Sequence, residues 1–323
     1  MILRKFAGMA AAVCISVTAH AEGWNPERAI EIVAGSGAGG AQDRTARAMQ
    51  RIWKEEGIIA VATSVVNKPG GGGAVSLAYL NQRAADGHYI AVGSPTLLIN
   101  HIAGTGKLNY TDMTPLALLF SEYIVLAVRE DSPIRTGEDL VRRLKTDPSS
   151  ISAAVATARG GMQHVTVGLV AKAAGAVPRK LRVVVFNSVG ESITAAMGGH
   201  VDVVATAAAN AAQQMRNGRL RVIGVAAPRR LEGVYANVPT WSEQGYEVVA
   251  SNWRSVLGLR GMTPAQVAWW DSVLGKLVQT PEWNEDIRKN EWANNYLNSA
   301  DTRVFLAAQY ESLRSILAEL LAR

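Results

Sequence analysis

The sequence predicts an α/β protein made of two similar lobes, each with a central, mostly parallel sheet flanked by helices. Three observations lead to this fold class. Strand-like and helix-like patterns alternate along the chain, the alternation repeats in two halves with similar spacing, and glycine-rich turns follow several strands. The length of 323 residues and the 48% hydrophobic content allow two globular domains, each with its own core.

The first half of the chain predicts a βαβαβ unit, which is typical of a parallel sheet with helices on both faces. Within the first predicted helix, Met49, Ile52 and Trp53 recur on one face at three-to-four spacing. The strands of this unit are expected at residues 29–35, 60–67 and 86–94, and its helices at residues 41–56 and 74–84.

A second unit with the same rhythm follows after a connecting segment. The interval between glycine turns is similar in the two halves, from Gly40 to Gly70 in the first and from Gly161 to Asn187 in the second. Two similar lobes are therefore expected. The strands of the second unit are expected at residues 150–157, 181–186 and 198–207, and its helices at residues 162–174 and 191–197.

The C-terminal tail predicts two amphipathic helices. Thr263 is expected to cap the first, with Pro264 at the first helical position, and the second is expected to begin at Ser299. We expect both helices to pack on the first lobe, which makes that lobe discontinuous. The predicted boundaries are residues 22–124 and 245–323 for lobe one and 125–244 for lobe two. The tail tryptophans are expected in the core: Trp269, Trp270, Trp283 and Trp292.

Residues 1–21 are expected to form a secretory signal peptide. Arg4 and Lys5 precede an apolar run over residues 6–18, and residues 19–21 provide a small-x-small cleavage site. The apolar run is too short to cross a bilayer. We therefore expect the mature protein in the periplasm of a Gram-negative bacterium.

Composition argues against two kinds of function. Cys14 is the only cysteine and lies in the predicted signal peptide, so the mature chain has no thiol for a disulfide or a thiolate metal site. The formal net charge of +6 is mild, is spread along the chain and accompanies only 6% aromatic residues, which is not the pattern of a nucleic-acid surface. We expect no nucleic-acid partner.

A glycine-rich turn between the first predicted strand and the first predicted helix indicates an anion site. In parallel sheets, ligands bind beyond the carboxyl ends of the strands, where turns lead into helix N-termini. Each such terminus has unpaired backbone N–H groups and about half a positive charge, which suits a carboxylate or a phosphate. The glycines of this turn are Gly35, Gly37, Gly39 and Gly40.

Three of these glycines also keep a dinucleotide-dependent oxidoreductase open as an alternative. Gly35, Gly37 and Gly40 satisfy the pattern G-x-G-x-x-G after a strand. A nucleotide site also needs an acidic residue at the end of the second strand to bind the ribose, whereas Asn67 and Lys68 stand there. A secreted location argues against this alternative, because nucleotide cofactors are scarce outside the cytoplasm.

The sequence contains no motif that indicates catalysis or metal binding. No G-K-[S/T] follows a glycine turn, and no G-x-S-x-G elbow is present. The histidines make no ligand pair of the H-E-x-x-H kind. We therefore expect a protein that is not an enzyme, with no catalytic residue, no metal and no cofactor. The four mature histidines are His88, His101, His164 and His200.

A secreted, two-lobed protein whose helix N-termini face a common cleft has the architecture of a periplasmic solute receptor. Such receptors close by a hinge around a small ligand. Here the ligand is expected to be a small organic anion. A secreted ligand sensor of the same fold, which signals to a membrane kinase instead of serving a transporter, is the nearest alternative.

Several short motifs, in order and spacing, resemble the tripartite tricarboxylate transporter receptor family, whose members are also called Bug or TctC-like receptors. The resemblance implies a type II periplasmic-binding-protein fold with two crossover strands. It also implies a carboxylate ligand, delivery to the membrane subunits of a secondary transporter, and a monomeric receptor. The motifs are GGAQD (39–43), NKPGGGG (67–73), DGHYIAVGS (86–94), TPLALL (114–119), GGHVDV (198–203) and VPTWSEQGY (238–246).

The resemblance also implies which turns bind the ligand. In that family the carboxylate is bound by the turn after the first strand and by the helix start that follows it. The implied residues of lobe one are Ser36, Gly39, Gly40, Ala41, Gly71, Gly72, Ser94 and Thr96. Those of lobe two are Thr157, Arg159, Gly160, Gly161, His164, Asn187, Ser188 and Gly190.

Four residues can be interpreted in more than one way. Ser36 stands where the family usually has an aromatic residue, so one wall of the pocket is expected to be smaller and more polar. Arg159 is either a clamp for a second carboxylate or a solvated arginine. Asp43, in the first helical turn, is expected to be a dipole partner or cap rather than a ligand contact. Trp253 is expected at the pocket mouth, as aromatic residues are in the family.

Overall fold

In a computed structural model, residues 23–83, 85–156 and 158–322 are described. The predicted signal peptide lies outside these ranges. The strands are β1 (Ile30–Ala34), β2 (Thr63–Asn67), β3 (Tyr89–Gly93), β4 (Met113–Phe120), β5 (Ile124–Arg129), β6 (Ser152–Ala156), β7 (Arg182–Phe186), β8 (Val203–Ala207), β9 (Leu220–Val225) and β10 (Arg254–Leu259). The helices are α1 (Ala41–Glu55), α2 (Ala74–Asn81), α3 (Thr96–Ile102), α4 (Gly137–Thr146), α5 (Met162–Ala173), α6 (Val189–Met197), α7 (Ala208–Arg216), α8 (Pro264–Leu277), α9 (Pro281–Lys289) and α10 (Ser299–Leu320).

The strands form two five-stranded sheets with the same topology. The first has the order β2-β1-β3-β10-β4 and the second the order β7-β6-β8-β5-β9. In the first sheet β1, β2 and β3 are parallel, and β10 is antiparallel to both β3 and β4. In the second sheet β6 is parallel to β7 and β8, and β5 is antiparallel to β8 and β9. We call the sheets, with the helices that pack on them, lobe one and lobe two.

The single strand that runs against its neighbours is, in each lobe, the strand that the chain forms just after crossing from the other lobe. The two crossing segments lie side by side, because Tyr123 and Ser251 form an antiparallel bridge and Asn252 donates its N–H to the carbonyl of Glu122 at 2.8 Å. The predicted fold class is confirmed: two lobes with mostly parallel sheets, joined by two crossover segments. The exact lobe boundaries stay a prediction.

The direction of these two strands makes the carboxyl edges of the sheets face each other. Ser255, near the start of β10, pairs with Gly93 at the carboxyl end of β3. Ile124, the first residue of β5, pairs with Ala207 at the carboxyl end of β8. Both crossings therefore leave and enter the sheets at their carboxyl edges, so the turns that follow the parallel strands border one interlobe space.

The core of lobe one has two layers, one on each face of its sheet. Helices α1, α8 and α9 cover one face, and helices α2, α3 and α10 cover the other. The core positions predicted for the tail tryptophans are confirmed: Trp270 and Trp283 are fully buried, and Trp269 and Trp292 pack partly buried against the same core. The predicted place of Trp253 is wrong, because this side chain is 0% exposed and packs edge-on against Phe305.

The last helix does not belong to lobe one alone. Helix α10 packs on β4 and α3 of lobe one, and its C-terminal part packs on α5 of lobe two. The expectation that both tail helices pack on lobe one therefore holds for α8 but is incomplete for α10. None of the helices described here is long and apolar enough to cross a bilayer.

We predict that Gly224→Ala destabilises the protein by about 1–3 kcal/mol, because an added Cβ would overpack the core. That atom would lie 2.6–3.0 Å from three ring carbons of Trp241, which is fully buried. Urea unfolding would measure the change. The matched control is Gly37→Ala, where no described heavy atom lies within 4 Å of the added Cβ. The control should stay within about 0.5 kcal/mol of wild type, and equal effects would contradict the account.

Candidate functional site

The structure places the described residues of the predicted site at the carboxyl edges of the two sheets. In lobe one they lie in the β1–α1, β2–α2 and β3–α3 connections, and in lobe two they lie in the β6–α5 and β7–α6 connections or in the first turns of those helices. Thr157 is outside the described residues. These turns therefore border one interlobe space.

The β1–α1 turn presents unpaired backbone donors. Gly40 is the N-cap of α1 and has no side chain to cap the helix. The N–H groups of Ala41 and Gln42 have no acceptor in the part of the chain that the structure describes. Two of the four orphan donors of an α-helix therefore remain available at this end, where the helix dipole also favours negative charge.

Asp43 holds this turn in shape from below. Its buried carboxylate accepts hydrogen bonds from the N–H of Gly39 at 2.8 Å, from Asn67 Nδ2 at 2.9 Å and from Arg47 Nε at 3.0 Å. Asn67 also donates to the carbonyl of Ser36 at 2.9 Å, and the Oγ of Ser36 accepts the N–H of Asp43 at 3.2 Å. The expected role of Asp43 in the first helical turn is confirmed, and Asn67 is a site residue that the sequence reasoning used only to exclude a ribose.

The ionisation of Asp43 follows from these contacts. Burial would raise the pKa of the Asp43 carboxyl, but the hydrogen bonds from Arg47, Gly39 and Asn67 outweigh burial and hold the pKa below its usual value. The carboxylate is therefore charged at neutral pH and is already occupied by three protein donors, of which Arg47 Nε contacts both oxygens. These hydrogen bonds fix the turn, and none of them involves the unpaired N–H groups of Ala41 and Gln42.

The second turn of lobe one consists of four glycines in left-handed or otherwise glycine-specific conformations. The φ angles of Gly70 to Gly73 are 127°, 55°, 59° and 95°. Asn100 on α3 donates its Nδ2 to the carbonyl of Gly71 at 2.9 Å. A Cβ at Gly72 would lie 2.8 Å from Thr96 and Asn100, so only glycine allows the turn to rest on α3. The carbonyl of Gly71 and the close contact with α3 thus fix the turn.

The third turn of lobe one links β3 to α3 and lies against the first. The buried Ser94 accepts a hydrogen bond on Oγ from Gln42 Nε2 at 3.4 Å. The N-cap of α3 is Pro95, which provides no side-chain cap, and Thr96, the first residue of the helix, is half-buried. Gln42 therefore connects the first and third turns. The sequence reasoning missed it because glutamine at the second position of a helix carries no local signal.

In lobe two, helix α5 begins in the same way as α1. Gly161 is its N-cap and provides no side-chain cap. The N–H groups of Met162 and Gln163 have no acceptor among the described residues. The backbone angles of Gly161, φ −65° and ψ 166°, nearly match those of Gly40, φ −69° and ψ 167°. The two lobes therefore offer equivalent pairs of donors.

His164 supports the α5 turn from within the lobe. It is 2% exposed, and its Nδ1 accepts the N–H of Gly160 at 2.9 Å. Burial, with a smaller effect from the nearby positive charge of Arg159, lowers the pKa of His164 from 6.5 to about 4. The ring is neutral at pH 7 with its proton on Nε2. Its observed contact is thus with the binding turn, and a direct contact with a ligand stays a prediction.

Arg159 is exposed, and its guanidinium donates to the carbonyl of Val183 on β7 at 3.2 Å. This contact directs the side chain along the edge strand rather than to the free donors of α5. The clamp that the sequence allowed therefore has no support from this geometry, while the alternative of a solvated arginine fits it.

The β7–α6 turn is more self-contained than the others. Ser188 caps α6 by accepting the N–H of Glu191 at 3.2 Å, and Glu191 accepts the N–H of Asn187 at 3.1 Å. The N–H groups of Val189 and Gly190, the first two residues of α6, keep no described acceptor. Lobe two thus presents unpaired backbone donors at the starts of both α5 and α6, and the Ser188 cap satisfies only the N–H of Glu191.

Helix capping differs between the two ends of the lobes. Away from the carboxyl edges, helices α4, α8, α9 and α10 each begin with a side-chain cap. At the carboxyl edges, helices α1, α2, α3, α5 and α7 begin without one, and only α6 has one. Side-chain caps normally satisfy the first N–H groups of a helix. Their absence on both sides of one space leaves these donors for a bound anion.

A cluster of charged and polar groups joins the two crossings beside this space. The carboxylate of Glu122 accepts Asn252 Nδ2 at 3.1 Å and Trp292 Nε1 at 3.3 Å, and it lies 3.5 Å from the buried guanidinium of Arg254. Glu122 and Asn252 stand on different crossings, so their hydrogen bond ties the two crossings together. This cluster could not be predicted from local sequence patterns, because its members are up to 170 residues apart.

No metal site accompanies these turns. Within residues 23–83, 85–156 and 158–322, no three side chains of His, Cys, Asp or Glu come together as metal binding would require. The groups at the carboxyl edges include unpaired backbone donors, serine and asparagine side chains, a neutral histidine, the exposed Arg159 and the carboxylate of Asp43, which is occupied by protein donors. Such a set can bind and orient an anion.

We predict that the buried, neutral His164 makes stability depend on pH. Because its folded pKa is about 4 and its unfolded pKa is 6.5, the unfolded chain binds the extra proton between these values. The contribution of the neutral His164 to the free energy of unfolding is fully present above about pH 6.5. It is lost as the pH falls towards 4, by at most about 3 kcal/mol. The control His164→Asn retains an acceptor for Gly160 but cannot titrate. The stability difference between the two proteins, measured by urea unfolding, should shrink as the pH falls, and a constant difference would contradict this.

Three solved structures share the fold of this chain. A TctC solute-binding protein from Polaromonas, without ligand, has a TM-score of 0.82 and 22% identity, and the match covers 91% of this chain and 99% of that chain. MatC from Rhodopseudomonas palustris with bound malate has a TM-score of 0.69 and 20% identity, covering 90% and 99%. Another Rhodopseudomonas palustris protein, with adipate, has a TM-score of 0.72 and 17% identity, covering 91% and 98%.

A sequence model described as the tripartite tricarboxylate transporter family receptor matches residues 47–321. The match begins within α1, after β1 and the β1–α1 turn, and includes the rest of lobe one, lobe two, both crossings and the C-terminal helix. The family resemblance found in the short motifs is thereby confirmed over most of the chain. This protein belongs to the tripartite tricarboxylate transporter receptor family.

Proposed function

We propose that this protein is a periplasmic receptor that binds a small organic dicarboxylate between its lobes and delivers it to the membrane subunits of a tripartite tricarboxylate transporter. The observation that carries the proposal is the pair of uncapped helix N-termini, α1 in lobe one and α5 in lobe two, at edges that face each other. One carboxylate of the ligand binds the N–H groups of Ala41 and Gln42, and the other binds those of Met162 and Gln163.

The magnitudes are adequate for this role. A hydrogen bond to a charged group contributes about 1.5–3 kcal/mol, and a helix terminus contributes about 0.3–1 kcal/mol. Four such hydrogen bonds and two termini together reach the roughly 8 kcal/mol that corresponds to a micromolar Kd. Further contacts from Ser36, Gly72 and Ser94, which we include in the site, would determine selectivity among acids of similar length.

The ligand class is supported by relatives of the same fold. The two Rhodopseudomonas palustris structures contain malate and adipate, which are both dicarboxylates of different length. Two donor pairs on separate lobes suit the two carboxylates of a dicarboxylate. Because the free donors are backbone groups, they distinguish charge and spacing better than the chemical nature of the chain between the carboxylates.

The site supports binding without a reaction. Asp43 accepts hydrogen bonds from three protein donors, and the Nδ1 of His164 is used by Gly160, so neither is placed as an acid, base or nucleophile towards the interlobe space. We therefore propose a receptor rather than an enzyme, acting as a monomer in the periplasm. A sensor that signals to a membrane kinase would use the same site, and loss of uptake on gene deletion would distinguish transport from sensing.

A thermal-shift panel tests the ligand class. We expect one or more dicarboxylates of four to six carbons to raise the Tm, because a ligand that binds only the folded state stabilises it by mass action. The diamides of the same acids are the matched controls, since they retain length and lose charge, and they should give no shift. A panel in which no di- or tricarboxylate raises the Tm would remove the main support for the proposal.

Ala41→Pro tests the backbone donors of lobe one. Proline fits the first position of a helix and removes only an N–H group there, and the extended angles of Gly40 suit a residue before proline. We expect the Kd of the bound dicarboxylate to rise about tenfold to a hundredfold, the equivalent of one hydrogen bond to a charge, with little change in stability.

Two further variants complete this experiment by isothermal titration. Ala41→Ser retains the N–H group and should bind like wild type. Met162→Pro makes the same change at the first position of α5 in lobe two, and it should weaken binding by a similar factor. Wild-type affinity in both proline variants would show that the helix N-termini do not bind the ligand.

A further inference from the structure

The first half of helix α10 is fixed to lobe one. Thr302 Oγ1 accepts the N–H of Leu118 on β4 at 2.7 Å, and Thr302 is completely buried. The ring of His101 on α3 makes a hydrogen bond with the hydroxyl of Tyr310 at 2.9 Å. These contacts and the packing of Phe305 on Trp253 attach residues 299–310 to the lobe that contains the α1 donors.

The second half of the same helix is packed on lobe two. Leu313, Ile316, Leu317 and Leu320 are at most 7% exposed and share a core with the buried side chains of α5. Gly168 of α5 allows close approach, since a Cβ there would lie 2.8–3.1 Å from the side chain of Leu320.

A surface ion pair extends this contact. Lys172 Nζ of α5 lies 2.5 Å from Glu319 Oε1, and both side chains are partly exposed. The pair is at the C-terminal end of α5, whereas Leu317 lies near its N-terminal end. Helix α10 therefore contacts α5 over most of the length of α5 rather than at one point.

This contact reaches the binding turn itself. Gly160, with a φ of +84°, is buried, and the atoms nearest to a Cβ placed there belong to Leu317 and Leu321, at 3.7–4.0 Å. The N–H of Gly160 is meanwhile used by His164. The turn that leads into the free donors of α5 is thus enclosed between a side chain of its own lobe and a helix that is fixed to the other lobe.

A rigid connection of this kind restricts how the lobes can move. The 22 residues of α10 span about 33 Å at 1.5 Å per residue. Opening the lobes away from α10 would expose its buried aliphatic side chains to water, which is unfavourable, whereas sliding α5 along α10 keeps them buried. The helix therefore favours a shear of one lobe past the other over a free hinge.

We propose that the C-terminal half of α10 is a third, non-covalent link between the lobes, and that Leu317 and Leu320 are positioning residues that set the place of the α5 donors relative to the α1 donors. This rests on the proposed function only in calling these groups ligand donors. The residues themselves do not contact the ligand. They act by keeping the two pairs of donors at the separation that the ligand must match.

The test measures the distance between the lobes in the full mature protein without ligand. Spin labels on cysteines at Lys54 and Arg143, one on each lobe and both exposed, report this distance by pulsed electron resonance. The predicted mature chain has no cysteine of its own, because Cys14 is the only one and lies in the predicted signal peptide. We expect Leu317→Ala to broaden the distance distribution and shift its mean.

The matched control is Leu306→Ala in the same helix. Leu306 is also fully buried, but it lies between Thr302 and Tyr310 on the lobe-one half. It should lose comparable stability and keep the narrow wild-type distribution. If Leu317→Ala left the distribution unchanged, or if both variants broadened it equally, the proposal would be wrong. Because no ligand is used, this outcome is independent of the ligand experiments.

A second pair of variants covers the case in which Leu317→Ala does not fold. Lys172→Glu places two negative charges against each other at the surface contact and leaves the core intact. We expect broadening at low ionic strength, where surface charges are least screened. The double variant Lys172→Glu/Glu319→Lys restores an opposite pair and should restore the narrow distribution. Identical distributions in all three proteins would overturn the proposal.

Discussion

The structure depends on one constraint, the direction of the strand that enters each sheet from the other lobe. Because β10 runs against β3 and β5 runs against β8, each crossing meets its sheet at the carboxyl edge. The helices that follow the parallel strands therefore have their N-termini at the border of one shared space. Reversing either strand would place those termini on opposite ends of the molecule, and no common anion site could form.

The chemistry of the site follows from this arrangement. The groups directed at the space are backbone amides, while the side chains in the turns are used internally: Asp43, Asn67 and Asn100 hold the turns of lobe one, and His164 holds the α5 turn. Helix N-termini with unpaired N–H groups suit negatively charged groups. The chain belongs to a receptor family.

Much of this could be predicted from sequence, because strands, helices and glycine turns of a parallel unit are local patterns. The helix predicted at 41–56 is observed at Ala41–Glu55, and the one predicted at 162–174 at Met162–Ala173. The segment between the two units was expected to be only a link, yet it contains α3, β4, β5 and α4. Strands β4 and β5 are almost entirely apolar and buried, so they show no alternation, and their pairing partners β10 and β9 are distant in sequence.

The contacts that sequence could not supply are those between distant residues. Trp253 resembles a pocket residue by its neighbours in sequence, but the packing of Phe305, 52 positions later, buries it. The two-lobe contact of α10 and the Glu122 cluster depend on similar long-range packing. The sequence left two roles open for Arg159, because its hydrogen bond to Val183 joins residues that are 24 positions apart. Local patterns thus determine the turns, and tertiary packing determines how the turns are held.

The most direct test of the central claim is a crystal structure of the protein with the dicarboxylate that raises its Tm. The account predicts one carboxylate within hydrogen-bond distance of the N–H groups of Ala41 and Gln42, and the other within that distance of Met162 and Gln163. A ligand bound elsewhere, or one held only by side chains with these four amides left unpaired, would contradict it.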